Sequence, residues 1–123
     1  MAGLGGIDAH VRRGDIYRVD FGNPRGSEQG GQRPALIVQN DMGNVSSPTT
    51  IIAAITSRRK GAYPFHVDIP ALESGLPEDS TVLLEQLLTI NKSRLINRVG
   101  SLSSAKMREV DKALEVSLGL SLP

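Results

Sequence analysis

The chain has 123 residues, no cysteine, two histidines and a formal net charge of +1. That length fits one domain with a core of its own. The composition excludes disulfides and thiolate metal sites, and His10 and His66 alone are a poor basis for a histidine-built metal centre or a paired-histidine nuclease. No apolar run approaches the roughly 20 residues of a membrane-spanning helix.

Charge is placed unevenly. Residues 1–60 hold eight Lys or Arg against five Asp or Glu, and residues 61–123 hold six against eight. A local basic surface in the first half suits an anionic ligand. Residues 1–10, MAGLGGIDAH, lack the charged start and apolar centre of a secretory signal. They read as a flexible leader, with residues 11–123 as one domain and the cytoplasm as the compartment.

In Ile16-Tyr-Arg-Val-Asp-Phe21, Tyr17, Val19 and Phe21 alternate with Arg18 and Asp20, the pattern of a half-buried strand. Gly22-Asn-Pro-Arg-Gly26 opens a long polar loop that runs to Pro34, which is placed at a strand start because it cannot donate to a ladder. Ala35 to Gln39 is the second strand, and residues 40–48 read as another loop. Thr49 to Thr56 is apolar and β-branched almost throughout, as in a strand covered on both faces. Ser57-Arg-Arg-Lys-Gly61 is a basic loop, and Tyr63 to Ile69 is a strand with Pro64 near its start. Thr81–Glu85 and Leu87–Ile90 read as two further strands, and Leu95–Leu102 as one more.

The period then changes. Met107, Val110, Leu114 and Leu118 form one helical stripe, with Ser103 as its N-cap. The expected architecture is α+β, with six or seven short strands in a small, strongly bent sheet or barrel and a C-terminal helix.

The loop Gly26-Ser-Glu-Gln-Gly-Gly-Gln-Arg-Pro34 resembles the signature loop of the MazF/PemK family, the toxin halves of bacterial toxin–antitoxin pairs. Arg13-Gly-Asp-Ile-Tyr17, Gln39-Asn-Asp41, Pro48 to Thr56, Leu84-Glu-Gln86 and Thr89-Ile-Asn-Lys92 match that family in order and spacing. The resemblance spans about Arg12 to Leu120. It implies an SH3-like barrel, a homodimer, and a sequence-specific, metal-independent endoribonuclease that needs no cofactor. Such an enzyme cuts single-stranded mRNA and is held inactive by a cognate MazE-like antitoxin. Its products are a 2′,3′-cyclic phosphate and a 5′-hydroxyl, because the ribose 2′-hydroxyl is the nucleophile.

That attack needs a proton acceptor, a stabiliser of charge on the phosphoryl oxygens and a proton donor to the leaving oxygen. Arg33 suits the second task, since its guanidinium binds phosphate through two parallel hydrogen bonds and stays charged. Thr56 offers a hydroxyl at the end of a buried strand. Glu28 is the candidate general base, with a loop carboxylate paired to Arg33 as the competing role. Ser27, Gln29 and Gln32 carry donors and acceptors suited to the edges of unstacked bases. Asn40 and Gln86 are further candidates for RNA contact, and Arg25 and Arg58 for the phosphate backbone. His66 reads as packing or interface.

Two positions depart from the family pattern. Leu88 stands where members often carry a basic residue, and Asn91 replaces a common Asp. Two other functions suit the same fold: a CcdB-like toxin that poisons DNA gyrase, and a non-catalytic RNA-binding module. Neither requires Arg33 and Thr56 together.

Overall fold

The computed structural model describes residues 11–22, 30–58 and 62–122. Residues 1–10, expected as a leader, residues 23–29 of the expected polar loop and residues 59–61 of the expected basic loop lie outside the described residues. The elements are β1 (Asp15–Asp20), β2 (Gln32–Ile37), α1 (Asp41–Ser46), β3 (Thr49–Thr56), β4 (His66–Ile69), α2 (Ala71–Ser74), β5 (Ser80–Asn91), a 3-10 turn (Lys92–Arg94), β6 (Leu95–Ser101) and α3 (Ser104–Ser117). The six strands form one antiparallel sheet in the order β4-β5-β3-β2-β1-β6. No helix among the described residues is long and apolar enough to cross a membrane.

The alternation of the strands sorts their side chains to two faces. Ile16, Leu36, Ala53, Ile55, Val67, Ile69 and Val82 point to one face, where α3 covers them with Val110 and Ala113. Tyr17, Val19, Ala35, Ile37 and Ile52 point to the other and enclose a second core with Ile90 and Leu95. A sheet this small surrounds its second face only by bending. The near-continuous burial of Ile52 to Ile55 is what a strand covered on both sides needs.

Several elements differ from the sequence reading, each for a local reason. Pro34 lies inside β2 rather than at its start. It is tolerated because the β2–β3 ladder begins only at Ala35, which leaves Pro34 with a neighbour on one side, opposite Arg18 of β1. Residues 41–46 are a helix: Asn40 Oδ1 caps it by accepting from Gly43 N at 2.7 Å. Ala71–Ser74 add a single helical turn. The two runs around Glu85 are one long strand. Its register against β3 shifts so that Ala53 faces Leu87 and Ala54 faces Leu83, and Leu84, Glu85 and Gln86 form the bulge between them. Tyr63, Pro64 and Phe65 precede β4 instead of belonging to it. Leu118 falls outside α3 and is exposed, while the rest of the stripe is buried or half-buried beneath the expected Ser103 cap.

Candidate active site

The strands β1, β2, β3 and β5 present one set of ends together. β1 runs out at Asp20, β2 begins at Gln32, β3 ends at Thr56 and β5 begins at Ser80. Arg33 lies opposite Val19 on β1, and Thr56 lies opposite Thr81 on β5. The link between β1 and β2 is pinned where it leaves and returns. Phe21 N–H donates to Gly31 O at 2.9 Å and Gly31 N–H to Gly22 O at 2.8 Å. Gly22 and Gly31 both have left-handed φ, +76° and +71°, which side-chain-bearing residues adopt only with strain.

Between these strand ends lies a cleft of about 250 Å³. Its polar lining is Arg18, Arg33, Thr56, Ser57, Arg58, Glu78 and Ser80, and its apolar lining Pro34, Ile55, Leu76 and Pro77. Three guanidiniums face one carboxylate among these residues, so the cleft is cationic. None of the three arginines makes an ion pair among the described residues. Arg33 Nε donates to Gly30 O at 2.9 Å, which orients the guanidinium and leaves its two terminal nitrogens for another acceptor. Thr56 Oγ1 accepts from Arg58 N–H at 3.1 Å, so its own proton is directed elsewhere. An anchored guanidinium and an anchored hydroxyl on one cleft can together hold a tetrahedral oxyanion.

The structure brings Arg33, Thr56 and Arg58 together, and places Gln32 beside Arg33 at the exposed start of β2. Arg25, Ser27, Glu28 and Gln29 lie outside the described residues. Asn40 is at the other end of β2, where it caps α1. Gln86 sits in the bulge of β5, away from the cleft-forming start of that strand. His66 is packed, as expected: its side chain is 6% exposed, it meets the Tyr63 and Phe65 rings edge-on, and its Nε2 lies 3.0 Å from the Glu85 carboxylate.

The sequence reading missed Arg18 and Glu78. Arg18 carries a signal in hindsight, because it falls on the outward phase of an alternating strand that feeds the polar loop. Glu78 carries none. Only the turn before β5 delivers it to the cleft.

Fold and cleft together define a small α+β protein with a basic, hydroxyl-bearing site at its strand ends. Residues 12–118 match the model of a family described as PemK-like, MazF-like toxin of type II toxin-antitoxin system, and the chain belongs to that family. An endoribonuclease in complex with its cognate antitoxin, from a Mycobacterial species, is 27% identical with a TM-score of 0.79; the match covers 93% of this chain and 100% of that one. MazF from Deinococcus radiodurans is 29% identical with a TM-score of 0.75, covering 89% and 96%. The MazE–MazF structure from the same organism gives 30% and 0.72, covering 90% and 97%.

Proposed function

We propose that this chain is an endoribonuclease toxin that cuts single-stranded mRNA at a specific sequence, without a metal ion, and is inhibited by a cognate antitoxin. The observation that carries the reading is the convergence of Arg33 and Thr56, 23 positions apart in sequence, on one cationic cleft. The similar structures add weight, since they include an endoribonuclease in complex with its cognate antitoxin and a MazE–MazF structure.

In this reading the 2′-hydroxyl attacks the adjoining phosphorus. Arg33 holds two phosphoryl oxygens, and the Thr56 hydroxyl donates to the developing charge. Glu28 takes the 2′-hydroxyl proton as general base. The P–O5′ bond breaks as the P–O2′ bond forms, the leaving 5′-oxygen takes a proton from solvent water, and the cut leaves a 2′,3′-cyclic phosphate and a 5′-hydroxyl. Arg18, Arg25 and Arg58 hold the backbone of the strand, and Ser27, Gln29 and Gln32 contact its bases.

Residues 11–123 act as one domain in the cytoplasm, and the sheet is an SH3-like barrel. Closure is supported where α2 meets β6: Gly75 lies so close to Val99 O that a Cβ there would sit 2.7 Å from it. A homodimer is supported by the second half of β5, where Leu88 is about half exposed and no strand lies on the side away from β3 among the described residues.

The test is cleavage of a long single-stranded RNA by wild type and Arg33→Ala in EDTA, with analysis of the new ends. Discrete cuts by the wild type alone, leaving cyclic phosphate, are expected. No cuts from folded, antitoxin-free wild type on varied RNAs would overturn the reading, and gyrase inhibition would then be assayed.

A further inference from the structure

The row of cross-strand partners that holds Thr56 runs on past the cleft. Thr56 faces Thr81 across β3 and β5, and Thr81 faces Asp68 across β5 and β4. Asp68 is thus two strand spacings from Thr56, about 10 Å. A nucleotide spans a similar distance from its phosphate to the far edge of its base. A second hollow, of about 300 Å³, opens there, walled by Asp68 and Asp79. It shares Ser57, Arg58 and Ser80 with the cleft, so the two hollows adjoin along those residues and together make a groove.

Each carboxylate is aimed by one of its oxygens. Thr81 Oγ1 donates to Asp68 Oδ1 at 3.0 Å, and Ala71 N–H donates to Asp79 Oδ1 at 2.8 Å. No hydrogen bond or ion pair among the described residues uses either second oxygen. The groove therefore changes character along its length. At the cleft end Arg18 and Arg33 attract phosphate together with the shared Arg58; at the far end Asp68 and Asp79 outnumber Arg58 and make the hollow a poorer place for phosphate. A strand lying in the groove keeps its phosphates at the first stretch and turns a base into the second. Held carboxylate oxygens accept from N–H groups and disfavour carbonyl edges.

We propose that this hollow is a base-reading subsite for the nucleotide next to the scissile phosphate. It selects a base whose exposed edge carries N–H donors, guanine above all, whose N1–H and N2–H₂ lie side by side. Uracil, whose single N–H is flanked by two carbonyl oxygens, is rejected. This rests on the endoribonuclease reading and names the specificity element of that same site.

The test is cleavage of a randomised single-stranded RNA pool, with sequencing of the new ends, by wild type and by Asp68→Asn, Asp79→Asn and the double variant. The amide oxygen of Asn retains the bond from Thr81 or Ala71, so the fold is preserved, and thermal unfolding midpoints check it. The amide nitrogen replaces the second oxygen with a donor. Wild type is expected to require a donor-bearing base at one position beside the cut. In the double variant that preference should fall at least about tenfold and turn towards uracil, while the cut remains where Arg33 places it. A wild-type word that accepts uracil at both positions flanking the cut overturns the proposal. So does an unchanged word in the folded double variant. A base preference that wild type loses in EDTA would assign the two carboxylates to a cation and overturn it as well. If wild type cuts nothing in the pool, the nuclease reading itself fails, a result distinct from a cut without base selection.

Discussion

β2 and β3 are polar at both of their ends, and the two ends are built on opposite terms. At the α1 end, Asn44 is 1% exposed and Thr50 fully buried. Asn44 Oδ1 accepts from Gln39 Nε2 at 3.0 Å and from Thr50 Oγ1 at 2.7 Å, and its Nδ2 donates to Gln39 O and Asp41 Oδ1. Lys92, itself buried, donates to the Asn44 carbonyl. The Asn44 side chain is fully used by the protein. At the cleft end, three arginines line a shared hollow and make no ion pair among the described residues. A satisfied buried network holds a helix to a sheet, because leaving any member unpaired is costly. Charges gathered without partners raise the potential of a cleft and leave donors for a ligand. Polarity alone does not separate the two ends; saturation does.

Substitutions test that contrast. The largest effect is expected from Arg33→Ala, which should lower RNA cleavage by about 10³-fold, or about 4 kcal/mol of transition-state stabilisation, with the unfolding midpoint nearly unmoved. A loss of stability equal to the loss of rate would place Arg33 with the structural end. Next is Asn44→Ala. Four hydrogen bonds are lost, although Gln39 Nε2 keeps Thr49 O and Asp41 Oδ1 keeps Arg13 N–H, and urea unfolding should show a loss of about 3 kcal/mol. Cleavage per folded molecule should hold, and a fall in it would tie α1 to the site.

Glu28→Gln should cost about 10²-fold in rate, and Glu78→Gln less than about tenfold. The reverse order in single-turnover assays would move the base role to Glu78. Arg18→Ala should weaken RNA binding by about tenfold and flatten the dependence of log affinity on log salt by about 0.7, as for one lost phosphate contact. An unchanged slope would remove Arg18 from the groove. Asn40→Ala should lower stability by about 1 kcal/mol through loss of the α1 cap and leave RNA affinity as it was. A drop in affinity would restore Asn40 as an RNA contact.

The strands were legible wherever a single rule governed them. Tyr17 and Val19 alternate with Arg18 because one face of β1 is wet at that point, and Ile52 to Ile55 run unbroken because β3 is covered twice. α3 was legible from its stripe and its Ser103 cap. Elements shorter than a periodic window were not. α1 spans six residues with a glycine inside, and α2 four, too few to show a period of 3.6. The bulge at Leu84–Gln86 resembled a break between two strands, since neither run shows that both pair with β3. Arg33 and Thr56 stood out by residue type and by the family motif, but nothing in the chain gave their distance.

The sequence by itself determined the alternation that sorts side chains to two faces, the C-terminal helix, the absence of thiol chemistry and the family resemblance. All of these depend on residue type and short-range order. Only the tertiary structure decided that Arg18 and Glu78 join Arg33 and Thr56, that Asn40 sits at the opposite end of β2, and that Asp68 shares a row with Thr56. The reason is strand pairing. Register places residues side by side that are from 11 positions apart, as Ile69 and Ser80 are, to 86, as Asp15 and Ser101 are, and a shift of one residue would send each to the other face.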